Sequence, residues 1–350
     1  MTSLQNQNAR LAVAVGAGLG ASLLAAYALN HWRKQHQYWN SEFKEAGRVD
    51  RLFIHPIKSC RGVEVSYVDC SVRGPRNGFM SDREFLVIDE EHDGIFLTAR
   101  TYPKLVLVEV EREADKLIVK FPDGKQVVVD LDEVRQRNVI KQGLLHEKAR
   151  TDGLDCGDEI GQAFTEYLQV EGKRRLRLLR FSPTLFTERD QSSHPRFWLN
   201  PPPKVDDHIM FADQTSYMIN TNASLNDLNK KLEADGHKAV EIRNFRPVIV
   251  VNETVAFDED RWLEVRIGDA EFACFRPCAR CVLTTVDPNE GTLSKEMQPL
   301  KKLREYRLAP GRVGDVFKQS PLFGVHLALR RPGRVRLGDT VYVRYKPSPF

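Results

Sequence analysis

The chain has 350 residues, of which 41% are hydrophobic and 29% charged, so it can bury one large core or two medium ones and is not a disordered protein. Its 52 basic and 48 acidic residues leave a formal net charge of +4, which argues against a nucleic-acid-binding protein unless the charge is clustered. The six cysteines do not form the paired framework of small secreted domains, which favours a reducing compartment for the folded part.

The amino terminus differs in kind from the rest of the chain. Residues 11–29 are uncharged, and at about 1.5 Å per residue they are long enough to cross roughly 30 Å of hydrocarbon. Arg10 precedes them, and residues 31–39 add positive charges and an aromatic pair, which predicts a transmembrane signal anchor with its carboxyl side in the cytosol. A cleaved secretory signal is the alternative. The Gly- and Ala-rich composition is typical of the mitochondrial outer membrane, with the endoplasmic reticulum as the alternative.

A polar linker over residues 30–47 leads to a globular part in which strands dominate. In its first half, strands are predicted at residues 49–56, 63–70, 85–89, 105–111, 117–121 and 126–130. The last two runs are joined at Asp123-Gly124, where glycine supplies the positive φ of a tight hairpin turn. Apolar residues at helical spacing predict a helix over residues 158–168, which ends this region.

The second half again contains many short strands and few helices. A Pro-rich, mobile stretch is predicted at residues 193–205, and a helix capped by Ser224 at residues 223–235. Strands are predicted at residues 175–181, 217–221, 247–252, 262–267, 270–275, 281–286 and 340–345. We therefore predict a mainly β fold with some α (α+β), built from β barrels or strongly curved sheets.

Two clusters of basic residues stand out, although the net charge is small. Residues 173–180 alternate like a strand with one basic face, and residues 301–307 are typical of a helix surface. A solvated face explains each cluster, and docking of an acidic partner protein is the functional alternative.

The least ordinary segment is Arg276-Pro-Cys-Ala-Arg-Cys281, which places two thiols between two guanidinium groups. A nearby positive charge stabilises a thiolate, the form that binds a soft metal or attacks an electrophile. The spacing of Cys278 and Cys281 also permits a zinc half-site, a redox dithiol or two core cysteines. The remaining early cysteines, Cys60, Cys70 and Cys156, are predicted to be buried small hydrophobic residues.

Several separated motifs resemble one family. They are Arg280-Cys-Val-Leu-Thr-Thr-Val-Asp-Pro-Asn-Glu-Gly291, Asn244-Phe-Arg-Pro247, Lys318-Gln-Ser-Pro-Leu-Phe-Gly324 and residues 333–339. These resemble the MOSC domain, the molybdenum cofactor sulfurase C-terminal domain. Upstream, His55-Pro-Ile-Lys-Ser-Cys60, Asp82-Arg83 and Leu97-Thr-Ala-Arg100 resemble the β-barrel module that precedes it. The resemblance implies a flank (1–10), the membrane anchor (11–29), the linker (30–47), a MOSC-associated β module (48–170) and a MOSC β-barrel domain (171–348).

The resemblance also implies a cofactor, molybdenum-molybdopterin (Moco), whose metal is held by a pterin dithiolene, oxo groups and one protein cysteine. By the motif match that metal ligand, and a catalytic residue, is Cys281. Arg280 would keep its thiolate deprotonated and contact the cofactor, while Cys278 would only line the site. The phosphate and polar edges of the pterin need cations and hydroxyls, which the match assigns to Lys58, Ser59, Arg83, Thr215, Asn244, Arg246 and His326.

Two modules with an amino-terminal anchor, and no aminotransferase-like portion, resemble members of the family that reduce N-hydroxylated small molecules. Asp213 is the candidate for proton delivery, because it lies beside the matched Thr215. The chain has no Cys-x-x-Cys-His haem motif and no G-x-G-x-x-G loop after a strand, so electrons would come from cytochrome b5 and its NADH-dependent reductase. The alternatives are a membrane-anchored cofactor carrier without turnover and an interaction module with a structural thiol cluster.

Overall fold

The structure is a computed structural model that describes residues 25–30, 41–146, 149–170, 172, 174–188, 191–192, 206–207, 209–347 and 349. The predicted Pro-rich stretch and residues 11–24 of the predicted membrane anchor lie outside these ranges. Residues 25–30 are helical. Within the described ranges, the structure contains no helix that is both long and apolar enough to cross a membrane.

Short strands are the most frequent element of the structure. In chain order the strands of the first half are β1 Lys44–Ile54, β2 Val63–Val65, β3 Tyr67–Ser71, β4 Gly74–Asn77, β5 Met80–Ser81, β6 Phe85–Asp89, β7 Ile95–Phe96, β8 Glu109–Glu113, β9 Lys116–Lys120, β10 Gln126–Asp130, β11 Ile140–Leu144, β12 Arg150–Asp155 and β13 Leu176–Arg180. Those of the second half are β14 Gln191–Ser192, β15 Asp206–Asp207, β16 Tyr217–Thr221, β17 Ile249–Asn252, β18 Trp262–Ile267, β19 Ala270–Ala279, β20 Leu322–Arg331, β21 Gly333–Arg336 and β22 Thr340–Tyr345.

The helices are short and lie between these strands. The α-helices are α1 Leu131–Arg137, α2 Asp158–Leu168, α3 Asn222–Ala234, α4 Leu300–Tyr306 and α5 Gly311–Phe317. The 3-10 helices are Pro103–Leu107, Ile242–Phe245, Asp258–Arg261 and Val282–Thr285. The prediction of a mainly β fold with some α is confirmed.

Two curved sheets dominate. One is a closed barrel in the order β11-β12-β13-β6-β7, flanked by the three-stranded sheet β10-β9-β8. The other runs β17-β16-β20-β19-β18-β22-β1-β2, and β1 also pairs with β17, so its hydrogen bonding returns to the first strand. Tyr217, Trp262 and Phe272 are fully buried in the core of this larger sheet, whereas Phe85 and Phe164 are buried in the core of the barrel.

The two sheets are interleaved in sequence. β1 precedes the barrel strands in the chain but pairs with β17 and β22 of the larger sheet. β13 follows residue 170, yet it pairs with β6 and β12 of the barrel. The division at residue 170 stays a prediction. β1 lies before this position but belongs to the larger sheet, and β13 lies after it but belongs to the barrel. β1 also begins at Lys44, inside the predicted linker.

The segment after β1 joins the two sheets and positions the first part of the site. The Lys58 amide donates to the Phe85 carbonyl over 2.9 Å, and the Phe85 amide donates to the Pro56 carbonyl over 3.0 Å. The Arg83 amide donates to the His55 carbonyl over 2.7 Å. Residues 55–60 are therefore held against the start of β6, at the junction of the barrel and the larger sheet.

Three local predictions were wrong. Residues 281–286 form no strand: the Thr284 and Thr285 hydroxyls donate to main-chain carbonyls three residues back, which stabilises the 3-10 helix Val282–Thr285. The predicted strand 105–111 is divided between the 3-10 helix Pro103–Leu107 and β8, because Pro103 favours a helical first turn. Helix α3 is capped by Thr221, whose hydroxyl accepts from the Ser224 amide.

Several side chains of the two basic clusters pair with acids of the same chain. Arg177 pairs with Glu90 at 2.8 Å, and Arg180 pairs with Glu84 at 2.8 Å. In the second cluster, Lys302 pairs with Glu305 and Asp235, and Arg307 pairs with the buried Asp260 at 2.5 Å. These side chains are therefore poor candidates for docking an acidic partner.

Candidate functional site

All of the residues predicted for the site line a single cavity of about 890 Å³. Its lining includes Lys58, Ser59, Arg83, Asp213, Thr215, Asn244, Arg246, Arg280, Cys281 and His326. The first three come from the segments that join the two sheets, and the others come from the larger sheet and its connections. The structure thus brings together side chains that are up to 268 residues apart in sequence, although their individual roles stay predictions.

The two thiols of the cavity differ in exposure. Cys278 is buried in β19, and burial raises the pKa of its thiol although the charges of Arg280 and Arg276 lower it. Cys281 is exposed and occupies the N-cap position of the 3-10 helix Val282–Thr285. A thiol that faces the cavity is available to a metal or an electrophile, whereas a buried protonated thiol is not. Cys281 is therefore the thiol of this pair that can act on a ligand.

The other cysteines lie in the core. Cys60, Cys70 and Cys156 are buried and unpaired, as predicted, and desolvation by burial raises the pKa of each thiol, for Cys60 and Cys70 to about 12. Cys274 is likewise buried, with a pKa raised to about 12 by desolvation. Among the described residues, no group of three or more His, Cys, Asp or Glu side chains could hold a metal ion. This argues against a structural zinc site in that part of the chain.

Arg280 is buried, and all three nitrogens of its guanidinium group contact other protein groups. Its Nε donates to the Phe323 carbonyl over 2.7 Å, and its Nη1 donates to the Phe245 carbonyl over 2.8 Å. Its Nη2 lies 3.0 Å from the Met218 sulfur. Since these contacts reach three different segments, Arg280 fixes the chain immediately before Cys281 and places a positive charge beside it.

Three of the predicted cofactor-binding residues adopt left-handed backbone conformations. Ser59, Arg83 and Arg246 have φ values of 69°, 50° and 52°, which residues other than glycine seldom adopt. Such conformations persist where the surrounding structure enforces them, and they are concentrated at binding sites. Here they turn successive backbone segments so that the three side chains line the same cavity.

Arg246 carries the clearest sign of a missing ligand. Its Nη1 donates to the Cys60 carbonyl over 2.7 Å, but its Nη2 is buried without a hydrogen-bond acceptor. Burial lowers the pKa of Arg246 to about 10, and the charge of Arg83 acts in the same direction. A buried guanidinium nitrogen without an acceptor is costly, and an anion in the cavity would remove that cost.

Asn244 holds the site together from behind. Its side-chain amide donates to the carbonyls of Thr284 and Val286, both over 3.0 Å, and its oxygen accepts from the Glu241 amide. The 3-10 helix Ile242–Phe245 is thereby fixed to the segment that follows Cys281. Asn244 was predicted to bind the cofactor, and its polar atoms are already bonded to the protein.

Thr215 and His326 form a polar pair on the opposite wall. The Thr215 hydroxyl lies 3.1 Å from His326 Nδ1 and donates to the Tyr217 carbonyl. Desolvation lowers the pKa of His326 to about 3, and the charges of Arg276 and Arg280 act in the same direction. The imidazole is therefore neutral at physiological pH and can donate or accept a hydrogen bond.

A chain of charged and polar groups runs along the cavity from Lys58 through Asp213 and His146 to Arg100. Lys58 Nζ lies 2.5 Å from Asp213 Oδ1, and His146 Nε2 lies 2.9 Å from the same oxygen. Arg100 Nη2 in turn lies 3.1 Å from His146 Nε2. Desolvation raises the pKa of Asp213, but the Lys58 charge and the His146 hydrogen bond outweigh it and hold that pKa well below its usual value. Asp213 is therefore a carboxylate at neutral pH, able to accept a proton but with none to donate.

Some lining side chains were not predicted. They are Phe96, Arg100, His146, Glu188 and Arg276. Arg276 and Arg100 lie in motifs that the sequence singled out, so their positions within those motifs were usable signals. His146 follows β11 and Glu188 follows β13 in segments without a motif, and only the fold brings them to the cavity.

Two family models and several known proteins match this chain. The MOSC N-terminal beta barrel domain matches residues 46–171, and the MOSC domain matches residues 206–342. Mitochondrial amidoxime reducing component 2 of Bos taurus is 37% identical over 318 residues, covering 89% of this chain and 87% of the relative. The Homo sapiens component 2 is 36% identical, covering 93% and 92%, and the Homo sapiens component 1 is 35% identical, covering 93% and 91%. The chain therefore belongs to the MOSC-domain family, and it is similar to mitochondrial amidoxime reducing components over most of its length.

Proposed function

We propose that this chain is a molybdenum-cofactor-dependent reductase of N-hydroxylated compounds such as amidoximes, hydroxylamines and N-hydroxylated bases. The observation that carries the proposal is one cavity in which the exposed thiol of Cys281 faces a surplus of cationic side chains. The names of the relatives support the reaction class, since those proteins are called amidoxime reducing components.

The lining fits an anionic cofactor with a metal that binds thiolate. Six cations line the cavity against two carboxylates: Lys58, Arg83, Arg100, Arg246, Arg276 and Arg280 against Asp213 and Glu188. The buried Nη2 of Arg246 needs an acceptor, and a phosphate or a pterin oxygen would supply one. We assign the metal-ligand role to Cys281. We assign pterin or phosphate binding to the side of the cavity that contains Lys58, Ser59 and Arg83.

When bound, the cofactor supplies the two-electron redox chemistry. The overall reaction converts N–OH to N–H and water by taking up two electrons and two protons. The protein orients the substrate and relays protons to it. We propose that Asp213, which is ionised, accepts a proton next to His146. Asp213 and His146 would then form the route by which protons reach the cleaved oxygen.

This reaction takes its electrons from a second protein, for which we propose cytochrome b5 with its NADH-dependent reductase. We also propose that residues 11–29 anchor the chain in the mitochondrial outer membrane, with the catalytic part facing the cytosol and the endoplasmic reticulum as the alternative membrane. The relatives are named mitochondrial, which supports the organelle.

The experiment measures molybdenum per chain and turnover on the same preparations. We expect the full chain to carry molybdenum and to reduce benzamidoxime when supplied with cytochrome b5 and its reductase. Cys281→Ala is expected to lose turnover and bound molybdenum, whereas Cys278→Ala, a matched thiol deletion in the same motif, is expected to retain both. Equal molybdenum and turnover in Cys281→Ala and the unchanged chain would refute the ligand assignment. Bound molybdenum without any reduction would instead favour the cofactor carrier.

A further inference from the structure

A second cavity, of about 510 Å³, lies apart from the thiols and is lined by arginines. Its walls come from the β3–β5 hairpins, from the turn between β8 and β9, and from the end of β13. The arginines are Arg73, Arg76, Arg112 and Arg180. Arg180 lies in the basic cluster at residues 173–180, but no motif joins it to the lining side chains of the other segments, which come from residues 71–84, residues 112–115 and Met210.

Three of these arginines lack an acidic partner. The two carboxylates of the cavity are already paired, Glu84 with Arg180 at 2.8 Å and Asp115 with Arg135 at 3.1 Å. Within the described part of the chain, the guanidinium groups of Arg73 and Arg76 form no ion pair and no hydrogen bond.

Arg112 is the third, and it is partly buried. Its Nε is enclosed without an acceptor, while its Nη1 donates to the Ala114 carbonyl. Burial lowers the pKa of Arg112 and the nearby charge of Arg180 acts in the same direction, whereas the charges of Glu84 and Asp115 raise it. The cavity therefore holds net positive charge that an incoming carboxylate would neutralise.

Two large apolar side chains stand exposed at the rim of the cavity. Val72 lies in the turn between β3 and β4 and is 53% exposed, and Phe79 lies in the turn between β4 and β5 and is 59% exposed. Met210, buried, lines the interior. Aromatic residues, methionine and arginine are enriched in protein–protein interfaces, and exposed apolar patches mark interaction sites.

The arginine-lined cavity shares a wall with the cavity that contains Cys281. Ser81 lines the former and Arg83 the latter, so one short segment faces both. The segment that carries Met210 does the same, since Ser216 lines the Cys281 cavity. The Ser216 hydroxyl also donates to the Arg73 carbonyl over 3.4 Å. Two segments of the chain therefore connect the arginine-lined cavity to the cavity that contains Cys281.

We propose that this cavity and its apolar rim are the docking surface for the acidic face of the redox protein that supplies the electrons. The proposal rests on the proposed function, since a reductase without a redox group for NADH needs a donor. Two successive one-electron transfers from the partner supply the two electrons that N–OH reduction consumes. Of the two basic clusters, Arg180 contributes to this surface, whereas Arg177, Lys302 and Arg307 pair with acids of the same chain elsewhere.

The test is the affinity of the full chain for the soluble haem domain of cytochrome b5, measured by titration at low and at physiological salt. The variant is Arg73→Glu with Arg76→Glu, and the matched control is Lys230→Glu with Lys238→Glu, which makes the same charge change at exposed lysines outside both cavities. We expect the Kd of the arginine variant to rise about tenfold or more and to lose most of its salt dependence, because charge complementarity steers association. The control should stay within about twofold of the unchanged chain.

An unchanged Kd in the arginine variant, or an equal rise in the lysine control, would overturn the docking surface. Phe79→Ser provides a second variant that keeps every charge, and its Kd should also rise. Turnover of benzamidoxime with a chemical reductant separates this proposal from the proposed function. The arginine variant should retain that turnover, since its substitutions lie outside the Cys281 cavity. Absence of turnover in the unchanged chain would count against the reductase, while the Kd comparison would still decide the docking surface.

Discussion

Arg280→Met tests whether the hydrogen bonds of Arg280 hold the chain before Cys281. The substitution leaves the buried carbonyls of Phe323 and Phe245 without their donors, which costs about 1–3 kcal/mol for each group. Removing a buried charge offsets part of this loss, so we expect the free energy of unfolding to fall by about 3 kcal/mol. Urea unfolding of the full chain measures the change, with the m-value as the check that unfolding exposes the same surface.

The matched control is Arg276→Met in the same motif. In the described structure the Arg276 guanidinium forms no hydrogen bond or ion pair and lies 5.1 Å above the Phe317 ring. Its loss should cost only about 0.5–1 kcal/mol. Equal shifts in the urea midpoints of the two variants would contradict this prediction, because they would show that the hydrogen bonds of Arg280 to the two carbonyls do not contribute to stability.

Three further predictions concern reactivity, packing and pH. Alkylation of the native chain should modify Cys281 first, because it is the exposed one of the six free thiols, and mass spectrometry of Cys281→Ser should show that fast phase removed. Gly324→Ala should lower the midpoint of thermal unfolding by several degrees, because Gly324 has a φ of 78° and a Cβ there would lie 2.4 Å from Asn220 Nδ2; a midpoint unchanged from that of the parent chain would contradict this. Burial raises the pKa of Glu259 to about 7 from 4.5, so the folded state binds more protons between these values and stability should fall as pH rises through them. Glu259→Gln should flatten that fall in urea titrations at several pH values, and a slope like that of the parent would count against the assignment.

The fold was predicted best where one local pattern decides an element. The bounds of β6, β16, β18, β22 and α2 agree with the sequence predictions residue for residue. The hairpin of β9 and β10 also forms as predicted, with Val127 opposite Val119. In each of these elements the apolar periodicity and the turn or cap residues favour the same structure.

Predictions failed where side-chain hydrogen bonds or long-range pairing decide the structure. The β-branched run after Cys281 favours a strand, but the hydroxyls of Thr284 and Thr285 bond to the preceding turn and stabilise a 3-10 helix. The interleaving of the sheets was equally hidden, since the pairing of β1 with β17 joins segments about 200 residues apart. Site residues that lie in motifs could be found because a motif is a local sequence pattern. His146 was missed because only the fold brings it to the cavity.

The structure divides the arginines of the cavity into two kinds, which their sequence does not distinguish. The guanidinium nitrogens of Arg280 donate to main-chain carbonyls and contact the Met218 sulfur, so few of its N–H groups are available to an anion. Arg246 retains a buried nitrogen without an acceptor. Anion binding should therefore depend on Arg246 and its neighbours more than on Arg280, and the position of the Cys281 thiol should depend on Arg280. If so, the thiol side and the anion side of the cavity are held by different hydrogen-bond networks, and a substitution in one can leave the other intact.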